Sequence, residues 1–153
     1  MTTRSVRHDT FVSERNYTVS ADRVFSAWGN AEAKARWFAG PVEEYSLDFR
    51  VGGREVVRGS RDNGSILTFD SLYQEIVHGH RIVYTSTLSA GDILLTVSVT
   101  TVEFHSVGSG ARLVITESAA YLDEHEEPTN RQQGTARWLD GLSAELARGT
   151  TLS

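Results

Sequence analysis

The period of the apolar positions changes twice along this 153-residue chain. The changes mark off a short helical block, a long run of strands and a closing helix. In RQQGTARWLDGLSAELAR (residues 131–148), Trp138, Leu139, Leu142 and Leu146 recur at three- and four-residue spacing. That spacing puts them on one face of a helix, with Arg137, Asp140 and Arg148 largely off it. An amphipathic helix of this length needs a surface to cover its apolar face. Nearly everything before it alternates with period two, so the surface is a sheet.

Residues 8–19, HDTFVSERNYTV, read as a first strand with Phe11, Ser13, Arg15, Tyr17 and Val19 on one side. Ser20 is a helix N-cap for a short helix carrying Val24, Phe25 and Trp28, which ends near Gly29. Asn30 caps a second, AEAKARWF, which closes with Trp37 and Phe38 before the Gly40-Pro41 break. From Pro41 the period becomes two. Val42, Tyr45, Leu47, Phe49 and Val51 describe a strand turned by Gly52-Gly53, and residues 54–61 return as a charged strand suited to a sheet edge. Asp62-Asn63-Gly64 signals a hairpin, followed by strands over 66–77, 81–88, 93–107 and 111–121, separated by glycine-bearing turns. The polar run 123–128 reads as a solvated loop leading to Asn130 as cap of the long helix. The order is strand, two short helices, six strands, long helix. It predicts one α+β domain over residues 1–153, a curved antiparallel sheet of about seven strands gripping a C-terminal helix.

Composition narrows the function classes. The chain has no cysteine, which removes disulfides and thiolate chemistry and fits a reducing cytoplasm. A net charge of −5 argues against a nucleic-acid partner, whose backbone demands a basic surface. No apolar run reaches the ~18 residues of a membrane span, and MTTRSVRHDT lacks a signal-peptide core. The expectation is a cytoplasmic protein without a membrane partner.

Several stretches carry a resemblance over almost the full chain. These are Val24-Phe25-Ser26-Ala27-Trp28, Ala35-Arg36-Trp37-Phe38 with Gly40-Pro41, Asp48-Phe49-Arg50-Val51-Gly52-Gly53 and Arg81-Ile82-Val83-Tyr84-Thr85. Thr101-Val102-Glu103-Phe104, Arg112-Leu113 with Thr116-Glu117, and Gly134-Thr135 with Leu139-Asp140 complete them. In order and spacing the chain resembles single-domain bacterial members of the AHSA family, named after the activator of the heat-shock-protein-90 ATPase, in the START-like (SRPBCC) superfamily. It departs from them at Ser118-Ala119, where relatives read Gln-Gly. The resemblance implies a helix-grip fold with a cavity between sheet and helix. Superfamily relatives bind lipids, hormones and polyketides, and some act on a bound polyketide or toxin. The eukaryotic co-chaperone carries much of its chaperone contact on a separate amino-terminal domain, which these residues lack, so co-chaperone activity is not expected.

Candidate chemistry is sparse. The five histidines show no metal-ligand spacing, so neither a metal nor an organic cofactor is expected. His78 and His80 flank a turn glycine, and His105 is the histidine expected near the core. Gly108-Ser109-Gly110 lacks the strand-elbow-helix setting of a hydrolase nucleophile. If Leu113 and Ile115 face inward, period two carries Glu117 and Tyr121 inward as well. A carboxylate there must be paired, with an arginine for instance, or protonated. Trp28, Trp37, Phe38, Tyr84 and Trp138 are core residues by default and, as a group, candidates to line a hollow. Gly134 and Gly141, seven apart beside Trp138, fit close packing of the helix on the sheet or space for a ligand. The favoured function is binding of a small apolar or aromatic molecule by Trp28, Trp37, Phe38, Tyr84, His105, Glu117, Tyr121 and Trp138. The alternatives are a cyclase or hydrolase built on the same cavity, and a chaperone-partner or homodimeric interaction module without a ligand.

Overall fold

The computed structural model describes residues 4–61 and 63–150, the last two by backbone alone. In chain order come β1 (Val6–Tyr17), α1 (Ala21–Gly29), α2 (Ala31–Lys34), a π-helical turn (Ala35–Ala39) and β2 (Glu44–Leu47). Then follow β3 (Arg54–Ser60), β4 (Ile66–Val77), β5 (Arg81–Ala90), β6 (Ile93–Val107), β7 (Gly110–Leu122) and α3 (Pro128–Thr150). The strands form one curved antiparallel sheet in the order β1-β7-β6-β5-β4-β3-β2. Each hairpin lays a strand beside its predecessor, while β1 closes on β7, so the helical block carries the chain from one edge of the sheet to the other.

The caps read from the sequence hold the helical block. The Ser20 side chain accepts from the Arg23 N–H at 3.2 Å, and Asn30 Oδ1 accepts from the Ala33 N–H at 2.9 Å. Composition predicts a second helix regular to Phe38, but the α-helix ends at Lys34. After Lys34 it widens into the π-helical turn, closed by the Gly40 N–H on the Ala35 carbonyl at 3.0 Å. Trp37 and Phe38, adjacent in the chain, both reach Trp138 on α3, with ring centroids 5.8 and 5.4 Å away.

Three other features differ from the pattern reading. The strand expected over Val42 to Val51 runs only from Glu44 to Leu47, because Asp48 and Arg50 turn the chain and leave Val51 exposed. Gly53 is obligatory in that turn, since a β-carbon on it would lie 2.1 Å from the Asp48 carbonyl oxygen. Charged β3 is an inner strand, and short β2 covers it as the edge. Finally, α3 begins at Pro128, not at an Asn130 cap; proline suits a first turn whose N–H groups are unpaired anyway. Asp62 of the hairpin signal lies outside the described residues.

Leu139, Leu142 and Leu146 of α3 are buried against Val24, Trp28, Ile82, Val102, Phe104 and Leu113, which form the core. One charged pair lies within it. Lys34 Nζ is 2.9 Å from Glu55, and both side chains are all but fully buried. Tyr45 and Tyr73 donate to the same carboxylate at 2.6 and 3.4 Å, and the ammonium rests over the Trp28 and Phe38 rings, 4.7 Å from each centroid. Burial pushes the Lys34 amine below its ordinary range while Glu55 opposes the fall. Lys34 is the one lysine of the chain, every other basic side chain being arginine, but its place in a helical pattern does not mark it as buried. Removing one partner strands the other's charge, whereas removing both does not. Lys34→Met is therefore expected to lower unfolding free energy by about 3–5 kcal/mol, and Lys34→Met with Glu55→Met to recover most of it. Urea denaturation of the two variants checks this; equal losses would contradict it.

Candidate functional site

Register decides what the sheet shows to α3. Phe11, Glu117, Thr100, Tyr84 and Tyr73 lie side by side across β1, β7, β6, β5 and β4. The next inward row is Ala119, Ser98, Ser86 and Ser71, all small, and beyond it come Tyr121, Thr96 and Leu88, with Phe69 and Val57 on β4 and β3. The row of small residues leaves a trough under the first turns of α3. Arg131 fills its inner part. Its Nε donates to Glu117 at 3.1 Å, Nη1 to Thr96 at 3.1 Å and Glu126 at 3.0 Å, and Nη2 to Ser98 at 3.3 Å. Thr100 donates to the other Glu117 oxygen at 3.3 Å. A buried arginine and a buried glutamate thus satisfy each other and the hydroxyls below them.

Above this base a cavity of about 270 Å³ remains, open on one side. Phe38, Val57, Phe69, Leu88 and Trp138 form its apolar walls, Tyr84, Glu117 and Arg131 its base, and Gly134 and Arg137 part of the α3 side. Burial raises the Glu117 carboxyl above its ordinary range, outweighing the opposing effects of Arg131 and Thr100. Burial, with Glu55 and Glu117 nearby, also raises the Tyr84 phenol and keeps it protonated. Among the described residues no group of three His, Cys, Asp or Glu side chains could hold a metal ion, and no helix is long and apolar enough to cross a membrane.

The eight residues that the sequence points to fall in four places. Phe38, Tyr84, Glu117 and Trp138 converge on the cavity. Trp28 and Trp37 are buried behind it; their rings meet at 5.1 Å, and the Trp37 indole donates to the Ala27 carbonyl at 2.9 Å. Tyr121 faces inward but lines a separate cleft with Ser5, Arg7 and Glu127, and burial pushes its phenol up to about 12. His105 does not approach the core. Phe104 takes the inward position, so His105 stands on the outer face, 3.6 Å from Glu103.

Arg131, Glu126 and the apolar Val57, Phe69 and Leu88 were not singled out. Arg131 reads as an ordinary polar residue at a helix start, and Glu126 as part of a solvated loop. The legible signal was on β6, where Thr96, Ser98 and Thr100 alternate with apolar residues on a central strand. Inward hydroxyls there require a polar partner from above. That partner also makes the cavity smaller and more polar than an aromatic hollow. The two helix glycines differ as well. A β-carbon on Gly141 would lie 2.6 Å from the Trp37 carbonyl oxygen, so Gly141 brings α3 against the π-helical turn and not against the sheet or a ligand. Gly134 borders the cavity and has room for a β-carbon.

A seven-stranded sheet gripping a long helix over a side-opening cavity defines a helix-grip domain of the START-like class. Activator of Hsp90 ATPase homolog 1-like protein is the family that matches residues 18–147, and the chain belongs to it. The chain is similar to an uncharacterised protein of known structure from Rhizobium leguminosarum, with 38% identity, 96% of this chain and 99% of that one covered, and a TM-score of 0.91. The Mll3558 protein from Rhizobium loti is 41% identical over 92% of this chain and 99% of its own, with a TM-score of 0.87. CalU16 from Micromonospora echinospora shares the fold at 16% identity, 97% and 88% coverage and a TM-score of 0.70. No curated protein matches the chain.

Two expectations follow from the site. Gly134→Ala is expected to stabilise the protein by up to about 1 kcal/mol, the helix-propensity gain, while Gly141→Ala destabilises it despite the same gain. Melting temperatures of the pair check this, and a rise in both would contradict the contact at Trp37. Glu117 has a folded-state pKa raised above its unfolded value, so its contribution to stability is present below pH 4.5 and lost as pH rises through the folded value. In Glu117→Gln the unfolding free energy should fall less steeply with pH across that window; an unchanged slope would contradict the raised pKa.

Proposed function

We propose that the protein binds a small, largely apolar molecule, with an aromatic group favoured by the walls, in the cavity between α3 and the sheet. The observation that carries this reading is open space walled by Phe38, Phe69 and Trp138 over a base whose polar groups satisfy one another. Such a base loses little when an apolar occupant displaces water above it, because its hydrogen bonds run within the protein. At about 270 Å³ the space lies just below the range of drug-sized ligands, so the occupant is smaller than those. Binding is favoured over catalysis because Glu117, the carboxylate with the raised pKa, is held by Arg131 and Thr100 and not left free to shuttle a proton.

A ligand that prefers the folded state stabilises it by about 2.7 kcal/mol at a hundredfold excess over its dissociation constant. Screening one- and two-ring aromatics, short fatty acids and small polyketides by thermal shift should find compounds that raise the melting temperature and change tryptophan fluorescence. Gly134→Leu should fold normally and lose both responses, since its side chain would enter the space. If no class shifts the wild type, or if Gly134→Leu responds equally, the reading fails.

A further inference from the structure

The charges around the cavity are arranged unequally. At the inner end one guanidinium, Arg131, serves two carboxylates, Glu117 and Glu126. At the α3 side stands Arg137, exposed, and no acidic side chain among the described residues pairs with it. The acids of α3 are engaged elsewhere: Asp140 faces Arg15 at 3.7 Å, and Glu145 holds Arg36 at 2.7 Å. Arg137 does not extend into solvent away from the cavity. Its Nη2 folds back one turn, to 3.7 Å from where a β-carbon on Gly134 would be, and both residues line the opening. The missing side chain at Gly134 therefore gives a planar, five-donor cation a place beside the mouth.

We propose that the occupant is an aromatic carboxylate, seated with its ring against Phe38, Phe69 and Trp138 and its carboxylate on the guanidinium of Arg137. This rests on the reading that the cavity binds a small molecule. The orientation follows from charge. An anion turned inward would meet two carboxylates sharing one cation, whereas an anion at the mouth meets a guanidinium that lacks a counter-ion and can bind it through two parallel hydrogen bonds. A cation would gain from the inner carboxylates, but it would also meet like charge: Lys34 over Phe38 at 4.7 Å, Arg131 over Phe69 at 5.4 Å and Arg137 at the mouth.

The test compares three probes that share a ring system and differ in charge: 2-naphthoate, neutral 2-naphthamide and cationic 2-naphthylmethylamine. Affinities are measured calorimetrically on the wild type, Arg137→Gln and Gly134→Leu. The wild type should bind naphthoate roughly tenfold or more tightly than either analogue, the scale of a charge-assisted hydrogen bond. Arg137→Gln, at an exposed position, should keep the wild-type melting temperature, bind naphthamide unchanged and lose the preference for naphthoate. Raising salt should weaken naphthoate binding to the wild type alone. If naphthamide or the amine binds the wild type as tightly as naphthoate, or if Arg137→Gln keeps the full naphthoate affinity, the charge assignment is overturned and the cavity reading stands. If none of the three binds, the aromatic-carboxylate assignment is overturned; if naphthoate binds Gly134→Leu as well as the wild type, the cavity reading falls with it.

Discussion

A buried guanidinium sets the distance between helix and sheet. Arg131 enters the space beneath the first turns of α3 and needs acceptors there, because an unpaired buried cation would cost several kcal/mol. Glu117, Thr96 and Ser98 supply them from below and Glu126 from the side. Apolar side chains on those inward positions of β6 and β7 would serve the sheet alone but strand the arginine. The hydroxyl rows and the arginine therefore require each other, and neither forms a close-packed apolar layer. Toward its other end α3 obeys the opposite rule: Leu139, Leu142 and Leu146 are buried, and Gly141 lets the backbone close on Trp37. One helix thus has a sealed half and a half that stands over open space.

The helical block stiffens the wall beside that space. Phe38 lines the cavity with one part of its ring environment and has the Lys34 ammonium over it, and Lys34 is tied through Glu55 to Tyr45 and Tyr73. A wall held by a charged network does not collapse into the cavity as a loose apolar side chain can. Trp28 and Trp37 back it from behind, which explains why aromatics that never reach the cavity still bear on its shape.

The fold was legible because its signals are local and repeat. Hairpin glycines recur between alternating strands, Ser20 and Asn30 cap their helices, and the leucines of α3 keep helical spacing. Glu117 was legible for the same reason, since period two carried it inward from Leu113 and Ile115. What escaped notice depends on pairing across distance. Lys34 and Glu55 look like surface charges until α2 is set beside β3, and Arg131 looks like one until α3 is set over β6. His105 lies close to the core in sequence but opposite in parity to inward Phe104, which puts it on the outer face. The π-helical turn has no composition of its own, because ARWF reads as good helix until Gly40 and the contacts to Trp138 fix its path.

That α3 stands off the sheet at its first turns and leaves a ligand site there is tested most directly by locating where a bound aromatic acid sits. Two-dimensional NMR spectra of the labelled protein, titrated with 2-naphthoate, report this residue by residue. The expected result is saturable shifts concentrated at Phe38, Phe69, Tyr84, Gly134 and Trp138, with Val97 and Val99 on the outer face of the sheet unmoved. Shifts centred on that outer face, or none at all, would contradict it.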